Sequence, residues 1–551
     1  MKKIFLPFLL ALTFALAANA QEDAAQEAID EPSAQPEQIT EEQAAAQETP
    51  AVPEVPALTF EQALQAAVEN NPDIQLKKAA VLAAHGKLLS AQAGTDIILG
   101  ADAKYAKKHT PYGGDPYSLS NGYNDIENDA ITSSVWAQKT FSFGLRTKIS
   151  AGVTSTLDTY HGPKSQEYKI AYGDEFTSRG SLMLELSLPL FKSFKYAVMG
   201  NNIQAAKDYC AQMEFELEDT ICQTLQNAAA AYWEYLNAFN YVQQREEMLQ
   251  ILTSRIDSMD KLIAAGARTK NDLLSMQVNL ITNERAYLSA EVALNEARLK
   301  LQQAMGTDAD LPKPEASFPN IDFENFQTPD LQSVDKDFIE KIASTRPDIL
   351  SMQKRLDSAR ANLLNAIAQG RPDLSLNLSL GETGAVYGES AGGFFSSFFR
   401  NVNGANLGGG LSFSMTLPNN AKKGAVESAQ AMCTQASVQL NQAKQLLASQ
   451  LRNIVFSLNS YKTLALNANS ALEMQKQLYA NEQRRFNSGL ITVDDMINQD
   501  KDYLLAKSQF NQIMTTFLQN IMEYKHCVGT LVEITDGDTN KLRKDNLYTL
   551  Q

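Results

Sequence analysis

Gly266-Ala267-Arg268-Thr269-Lys270-Asn271-Asp272 recurs without a gap as Gly489-Leu490-Ile491-Thr492-Val493-Asp494-Asp495, with Gly, Thr and Asp in the same places. At the same offset, Gly306-Thr307 falls on Gly529-Thr530. A second gapless match lays Asn71-Pro72-Asp73-Ile74 on Arg346-Pro347-Asp348-Ile349, and carries Leu88, Leu89, Ala91 and Ala93 onto Leu363, Leu364, Ala366 and Ala368. A repeat found this way governs the fold assignment, because each copy is one structural unit. The expectation is an internal two-fold repeat: a first unit over 58–306, a linker over 307–334 and a second unit over 335–531.

Each unit reads as helix, strand, helix. Helices are expected near 59–93, 197–265, 270–306, 335–369, 421–487 and 492–531. In the second, Ile221, Leu225, Ala228, Tyr232, Tyr235, Phe239 and Val242 alternate spacings of four and three. In the fifth, Leu447, Leu451, Ile454, Leu458, Tyr461, Ala465, Ala468 and Leu472 do much the same. A sustained period near 3.5 winds helices around their neighbours in a left-handed sense. A plain coiled-coil core explains the seam but not the length, since a helix of some 65 residues spans about 100 Å. The shorter helices fit end to end beside the long ones.

Between the helices lie alternating stretches. Leu182, Leu184, Leu186 and Leu188 alternate with Met183, Glu185 and Ser187; Leu374 to Leu380 alternate with Ser375, Asn377 and Ser379; Leu411, Phe413, Met415 and Leu417 alternate with Ser412, Ser414 and Thr416. This is the period-2 signature of a strand with one apolar and one polar face. A half-buried soluble sheet is the alternative to a transmembrane β-hairpin. Lipid is favoured because no other element is positioned to cover the apolar face, and because stretches of this length suit a membrane strand. Residues 109–130 and 381–410 read as long polar loops bearing Tyr112, Tyr117, Tyr123, Phe394, Phe395, Phe398 and Phe399. An extra alternating stretch near 131–158 (Phe141, Phe143, Leu145, Thr147, Ile149) has no counterpart in the second unit and reads as an added hairpin, which leaves the strand count of the first unit open.

The N-terminus reads as a secretory signal over 1–20: Lys2 and Lys3, an apolar run from Ile4 to Ala17, and the small residues Ala18-Asn19-Ala20. Residues 21–57 hold ten acids, five prolines and no Lys or Arg, and are expected to be disordered. They carry most of the formal charge of −16, so the acid excess describes a tail more than a binding surface. It argues against nucleic acid, which calls for a basic footprint. Residues 532–551 read as a C-terminal tail. Of the four cysteines, Cys210 and Cys222 would stand about 18 Å apart on one helix, beyond the ~7 Å reach of a disulfide. Small buried thiols are the default for them and for Cys433 and Cys527.

Four strands cannot close a barrel, and an open edge in lipid leaves backbone groups unpartnered. Several copies of the chain must therefore share one barrel, a narrow one from two copies or a wider one from three. The fold class is a mixed α/β membrane protein: a long antiparallel α-helical barrel plus a transmembrane β-barrel assembled from several chains.

At this point the residues resemble the TolC-like outer-membrane efflux family over roughly 58–531. The resemblance rests on the doubled plan, the Asn71-Pro72-Asp73 and Arg346-Pro347-Asp348 starts, the Leu188-Pro189-Leu190-Phe191 strand exit, and the turns at Gly266 and Gly489. It implies a homotrimer in the outer membrane of a Gram-negative-type bacterium, with the helical part in the periplasm. It also implies an exit duct joined by a periplasmic adaptor to an inner-membrane transporter, opened by iris-like movement of helix pairs. Adaptors of the family dock on the helix tips, here Gly266, Ala267, Thr269, Gly489, Leu490 and Thr492. Carboxylate rings close some members, which makes Asp272, Asp495 and the neighbouring Asp494 gate candidates. A gate-linking Arg of some members is Ile491 here, so Arg268 on the other tip is a candidate to replace it. The competing reading of Asp272 and Asp495 is that they are first-turn acids favoured by the helix dipole.

Enzymatic chemistry has no foothold in the sequence. Walker, HExxH and GxSxG motifs are missing, and His85, His109, His161 and His526 are scattered, whereas metal sites need clustered ligands. Asp125, Glu127 and Asp129 lack the Gly-at-six pattern of a Ca²⁺ loop and read as a solvated loop. No cofactor, metal or catalytic residue is expected. The rival function is a non-conducting structural or adhesive periplasm-spanning outer-membrane protein.

Overall fold

The computed structural model describes residues 57–111, 125–162, 165–167, 177–264, 269–315, 317–331, 334–387, 403–533 and 541–542. The signal at 1–20, nearly all of the acidic segment, the tip turn 265–268, the loop aromatics at 112–124 and 388–402, and most of the 532–551 tail lie outside these residues. The chain is mostly helical with one large sheet. It divides into two compact units, Leu88–Ala205 with Arg360–Gln430, and Ala51–Lys87 with Ala206–Ala359 and Ala431–Gln551.

The first unit contains a six-stranded antiparallel sheet in sequential order: β1 Ile97–Pro111, β2 Asp125–Thr140, β3 Arg146–His161, β4 Thr177–Pro189, β5 Asp373–Tyr387 and β6 Asn403–Ser414. Residues directly opposite in such a ladder share a face. Following the register across all six strands, one row reads Leu99, Ala137, Ile149, Leu184, Leu380, Leu407. The adjacent row reads Ile98, Gln138, Lys148, Glu185, Ser379, Gly408. One row is thus apolar across all six strands, while the adjacent row, on the other face, carries Gln, Lys, Glu and Ser. The apolar side chains are open in the single chain, with Leu407 82%, Leu411 68% and Phe413 63% exposed.

Several sequence expectations are corrected here. The stretches read as loops at 109–130 and 381–410 are partly strand, because the backbone ladder extends pairing well past the leucine-rich centres. Asp125, Glu127 and Asp129 lie in β2 opposite His161, Thr159 and Leu157, so they do not form a loop. Phe141 and Phe143 belong to the β2–β3 turn, where Phe141 N–H donates to the Leu145 carbonyl at 2.8 Å. Met415 and Leu417 fall beyond β6, which ends at Ser414. β1 was not foreseen, since Ala and Gly stand where bulky β-branched residues would signal a strand. Gly100 explains one of them: a Cβ there would meet the Trp136 indole at 2.3 Å.

The helices are α1 Phe60–Asn70, α2 Pro72–Ala93, α3 Val198–Ala264, α4 Lys270–Met305, α5 Lys336–Ala343, α6 Pro347–Gln369, α7 Asn420–Asn487 and α8 Val493–Val528. The segments expected as single helices over 59–93 and 335–369 are each broken. The residue before a proline is driven out of the α region, and Asn71 is extended at φ −63°, ψ 125°. Asn71 then starts α2, accepting from Asp73 N–H at 2.8 Å while its amide donates to the Ala304 carbonyl at 3.0 Å. Arg346 does the corresponding work before Pro347. It grips Asp348 through Nε and Nη2 (2.9 and 2.7 Å) and donates to the Cys527 carbonyl at 3.2 Å. No described helix is long and apolar enough to cross a membrane.

The largest core of the second unit gathers Phe60 and Leu64 of α1, Tyr232 and Trp233 of α3, Leu301 of α4, and Phe517 and Ile521 of α8. The segment joining α4 to α5 is pinned to it. Leu58 N–H donates to the Lys313 carbonyl, Tyr232 hydroxyl to the Leu58 carbonyl, and Tyr235 hydroxyl to the Pro312 carbonyl.

Among the described residues, three helices end on a left-handed glycine: Gly306 (φ 67°), Gly489 (φ 74°) and Gly529 (φ 77°). In each, the following N–H bonds to the carbonyl five residues back, the Schellman pattern. Alanine substitutions should separate strain from packing. At Gly489 a Cβ meets nothing within 4 Å, so the cost is the left-handed penalty of about 1–2 kcal/mol. At Gly306 a Cβ would approach the Asn70 carbonyl oxygen at 2.7 Å and Asn71 Cα at 2.8 Å, both backbone atoms. Gly306→Ala should therefore lower the melting temperature markedly more than Gly489→Ala; equal shifts would contradict the packing argument.

Candidate functional site

The end of the second unit that carries the turns is built by two helix starts. Thr269 caps α4 and Thr492 caps α8, each in a reciprocal capping box with the residue three places on. Asp272 N–H donates to Thr269 Oγ1 at 3.2 Å, while Thr269 N–H and Oγ1 donate to Asp272 Oδ2 at 3.0 and 2.9 Å. At the other tip, Asp495 N–H donates to Thr492 Oγ1 at 3.1 Å, and Thr492 N–H and Oγ1 donate to Asp495 Oδ2 at 3.1 and 2.6 Å. The bonds from Thr492 hold the Asp495 carboxyl below the usual carboxylate range. Both gate-candidate aspartates thus have a local structural task, satisfying donors that a helix start leaves unpaired. Asp494, on the same first turn, is exposed.

Gly489 and Leu490 form the exposed turn between α7 and α8. Ile491 is partly buried against a tip core of Met259, Met276, Tyr479, Phe486, Val493, Met496 and Ile497. Gly266, Ala267 and Arg268 lie outside the described residues, so the substitute role given to Arg268 stays an expectation.

Behind this core sits a buried polar link that the sequence reading missed. Arg255 of α3 donates to Asp500 Oδ2 of α8 at 2.6 Å and to the Tyr479 hydroxyl of α7 at 3.0 Å. Asp500 is 2% exposed. Burial raises its carboxyl pKa against the pull of Arg255, and burial with the nearby Asp500 charge pushes the Tyr479 hydroxyl up to about 12. Tyr479 also stacks on Tyr503 at 4.7 Å between ring centroids. A signal for the link did exist. Arg255 occupies the seam position between Leu252 and Met259, and Asp500 the one between Ile497 and Leu504, where apolar residues belong. The arrangement is a non-covalent clasp across three helices, and it has the form of a holding contact, with no nucleophile paired to a base within it.

The chain matches the outer membrane efflux protein family over residues 140–307 and 338–521. It is similar to the outer membrane protein TolC of Salmonella enteritidis, with 24% identity over 385 residues that cover 67% of this chain and 72% of that protein. In fold it is similar to the CmeC outer membrane channel of Campylobacter jejuni, with a TM-score of 0.57 and 16% identity over 86% of this chain and 85% of that one. It is likewise similar to the outer membrane protein VceC of Vibrio cholerae, with a TM-score of 0.56 and 15% identity over 85% and 96% of the two chains. The match takes in strands β3 and β4 and both long helices, so the chain belongs to the outer membrane efflux protein family and its place is the outer membrane.

Proposed function

We propose that this protein is the passive exit duct of an efflux or type I secretion system, a homotrimer joined through a periplasmic adaptor to an inner-membrane transporter. The observation that carries the reading is the sheet. Among the described residues, six strands with one continuous apolar row and two open edges, β1 and β6, are too few for a single-chain barrel, which starts at about eight. Three copies would supply eighteen strands, in the range of roughly 16–18 at which barrels leave an aqueous channel. The apolar rows would face lipid and the Gln, Lys, Glu and Ser rows the water.

The helices would extend into the periplasm, with the tips at their inner end as the entrance and the adaptor's docking points. Opening would be an iris-like movement of helix pairs, resisted by the Arg255–Asp500–Tyr479 clasp. Asp272 and Asp495 would each give a ring of three carboxylates in a trimer, attractive to cations. The Thr caps hold those carboxylates in fixed positions.

The purified oligomer in planar bilayers should show discrete channels. Asp495→Asn, which removes charge but keeps a capping acceptor, should reduce cation preference and raise conductance. Silence from a correctly assembled oligomer would overturn the reading and favour a non-conducting structural or adhesive role.

A further inference from the structure

The sequence scatters its histidines, but the fold brings one of them to a cysteine. His85 on α2 faces Cys210 and Glu214, one turn apart on α3. His85 Nε2 lies 3.4 Å from Glu214 Oε1, and Cys210 Sγ lies 3.7 Å from the same oxygen. All three ligand atoms fall within 4.8 Å of one another. We propose that His85, Cys210 and Glu214 form a binding site for one zinc-class divalent cation, which ties α2 to α3.

Three observations carry this. First, the spacing fits: bonds of ~2.0 Å to N and O and ~2.3 Å to S in a tetrahedron put ligand pairs roughly 3.3–3.5 Å apart. The two measured separations are within a few tenths of an ångström of that, and the half-exposed His85 ring is free to close the third. Second, the donor set of imidazole, thiol and carboxylate suits zinc and excludes the all-oxygen preference of Mg²⁺ and Ca²⁺. Three protein ligands leave a fourth position for water. Third, a further acid stands beside the cluster, while Lys77 of α2 is already paired with Glu216 at 2.8 Å. One turn beyond Glu214, Glu218 Oε2 is buried with no hydrogen-bond partner among the described residues. Lys87, the nearest base along α2, is turned over the Tyr209 ring at 4.9 Å.

Without a cation the Cys210 thiol donates a hydrogen bond to Glu214 Oε1, the oxygen that also faces His85. On binding, the cation replaces the thiol proton, which leaves to solvent.

The test uses the full-length oligomer in detergent, stripped with a chelator. Zn²⁺ is titrated in competition with a chromophoric chelator, and Co²⁺ serves as the spectroscopic probe. The expected result is one equivalent per chain and a thiolate-to-cobalt charge-transfer band. Cys210→Ser should abolish the band and Cys433→Ser should leave it. His85→Ala should weaken Zn²⁺ binding by about tenfold or more, the scale on which even supporting residues of metal sites act. Should Cys210→Ser fail to assemble, His85→Ala and Glu214→Gln decide the matter, since both alter half-exposed side chains. Absence of a thiolate band, or Zn²⁺ affinity unchanged in His85→Ala, overturns the site.

Discussion

Asp500→Ala will loosen the tip end of the helices and make the channel leak. The substitution strands the Arg255 guanidinium, whose side chain is only 9% exposed beside an Asp500 side chain at 3%. Removing one partner of a buried pair costs about 3–5 kcal/mol, because the remaining charge keeps its desolvation penalty without its counter-ion. At 1.4 kcal/mol per factor of ten, amide protection in the first turns of α8 should fall roughly a hundredfold or more. Replacing both partners by apolar residues, Arg255→Met with Asp500→Leu, should restore most of that protection, since well-packed apolar substitutes for a buried pair are commonly neutral or stabilising. Hydrogen exchange on the two variants separates the cases. If the double variant is as open as the single one, the clasp acts through shape and not charge. Bilayer recordings of the same proteins connect the clasp to gating: the single variant should leak, and the double variant should be tighter than it.

Trp233→Ala should have a comparable effect on the central core. Trp233 is 2% exposed, stacks on Phe60 at 4.6 Å and faces Phe318 at 6.5 Å. Truncating a buried Trp costs about 3–5 kcal/mol through lost transfer energy and the cavity left behind. Here the loss spreads, because Phe60 opens α1 and Phe318 belongs to the segment joining α4 to α5. Limited proteolysis should therefore cut within 307–334 before it cuts the long helices, and the melting temperature should fall. Trp136→Ala is the control: its indole lies on the sheet, donates to Asp102 Oδ2 at 2.8 Å and is not in the core. Equal sensitivity of the two variants would refute the assignment of Trp233 as the core's anchor.

Much of this architecture was legible in spacing. The 3.5-residue seams of α3 and α7 are buried where expected at Leu225, Tyr232, Leu451, Ile454 and Leu458. The leucine alternations of β4 and β5 pair in register, Leu184 opposite Leu380 and Leu186 opposite Leu378. The strand ends were not legible. A ladder extends as long as its neighbour offers backbone partners, whatever the side chains, so β1 runs through Ala and Gly residues that give no strand signal. The candidate tip was legible in part. Asp272 and Asp495 were found as gate candidates and Thr269 and Thr492 as docking-tip residues; the capping boxes that pair them were not read, and the first-turn place of the two aspartates was weighed only as a dipole effect.

Sequence by itself determined the periodicities, because apolar burial selects a fixed spacing on a helix and on a strand, and the breaks before Pro72 and Pro347, because proline restricts the residue before it. Tertiary structure alone decided which polar residues meet. Arg255 finds Tyr479 and Asp500, and His85 finds Cys210 and Glu214, across helices far apart in the chain. Pair contacts of this kind depend on the relative rotation and axial offset of packed helices. Those are set by the whole interface at once, and no local window of residues contains them.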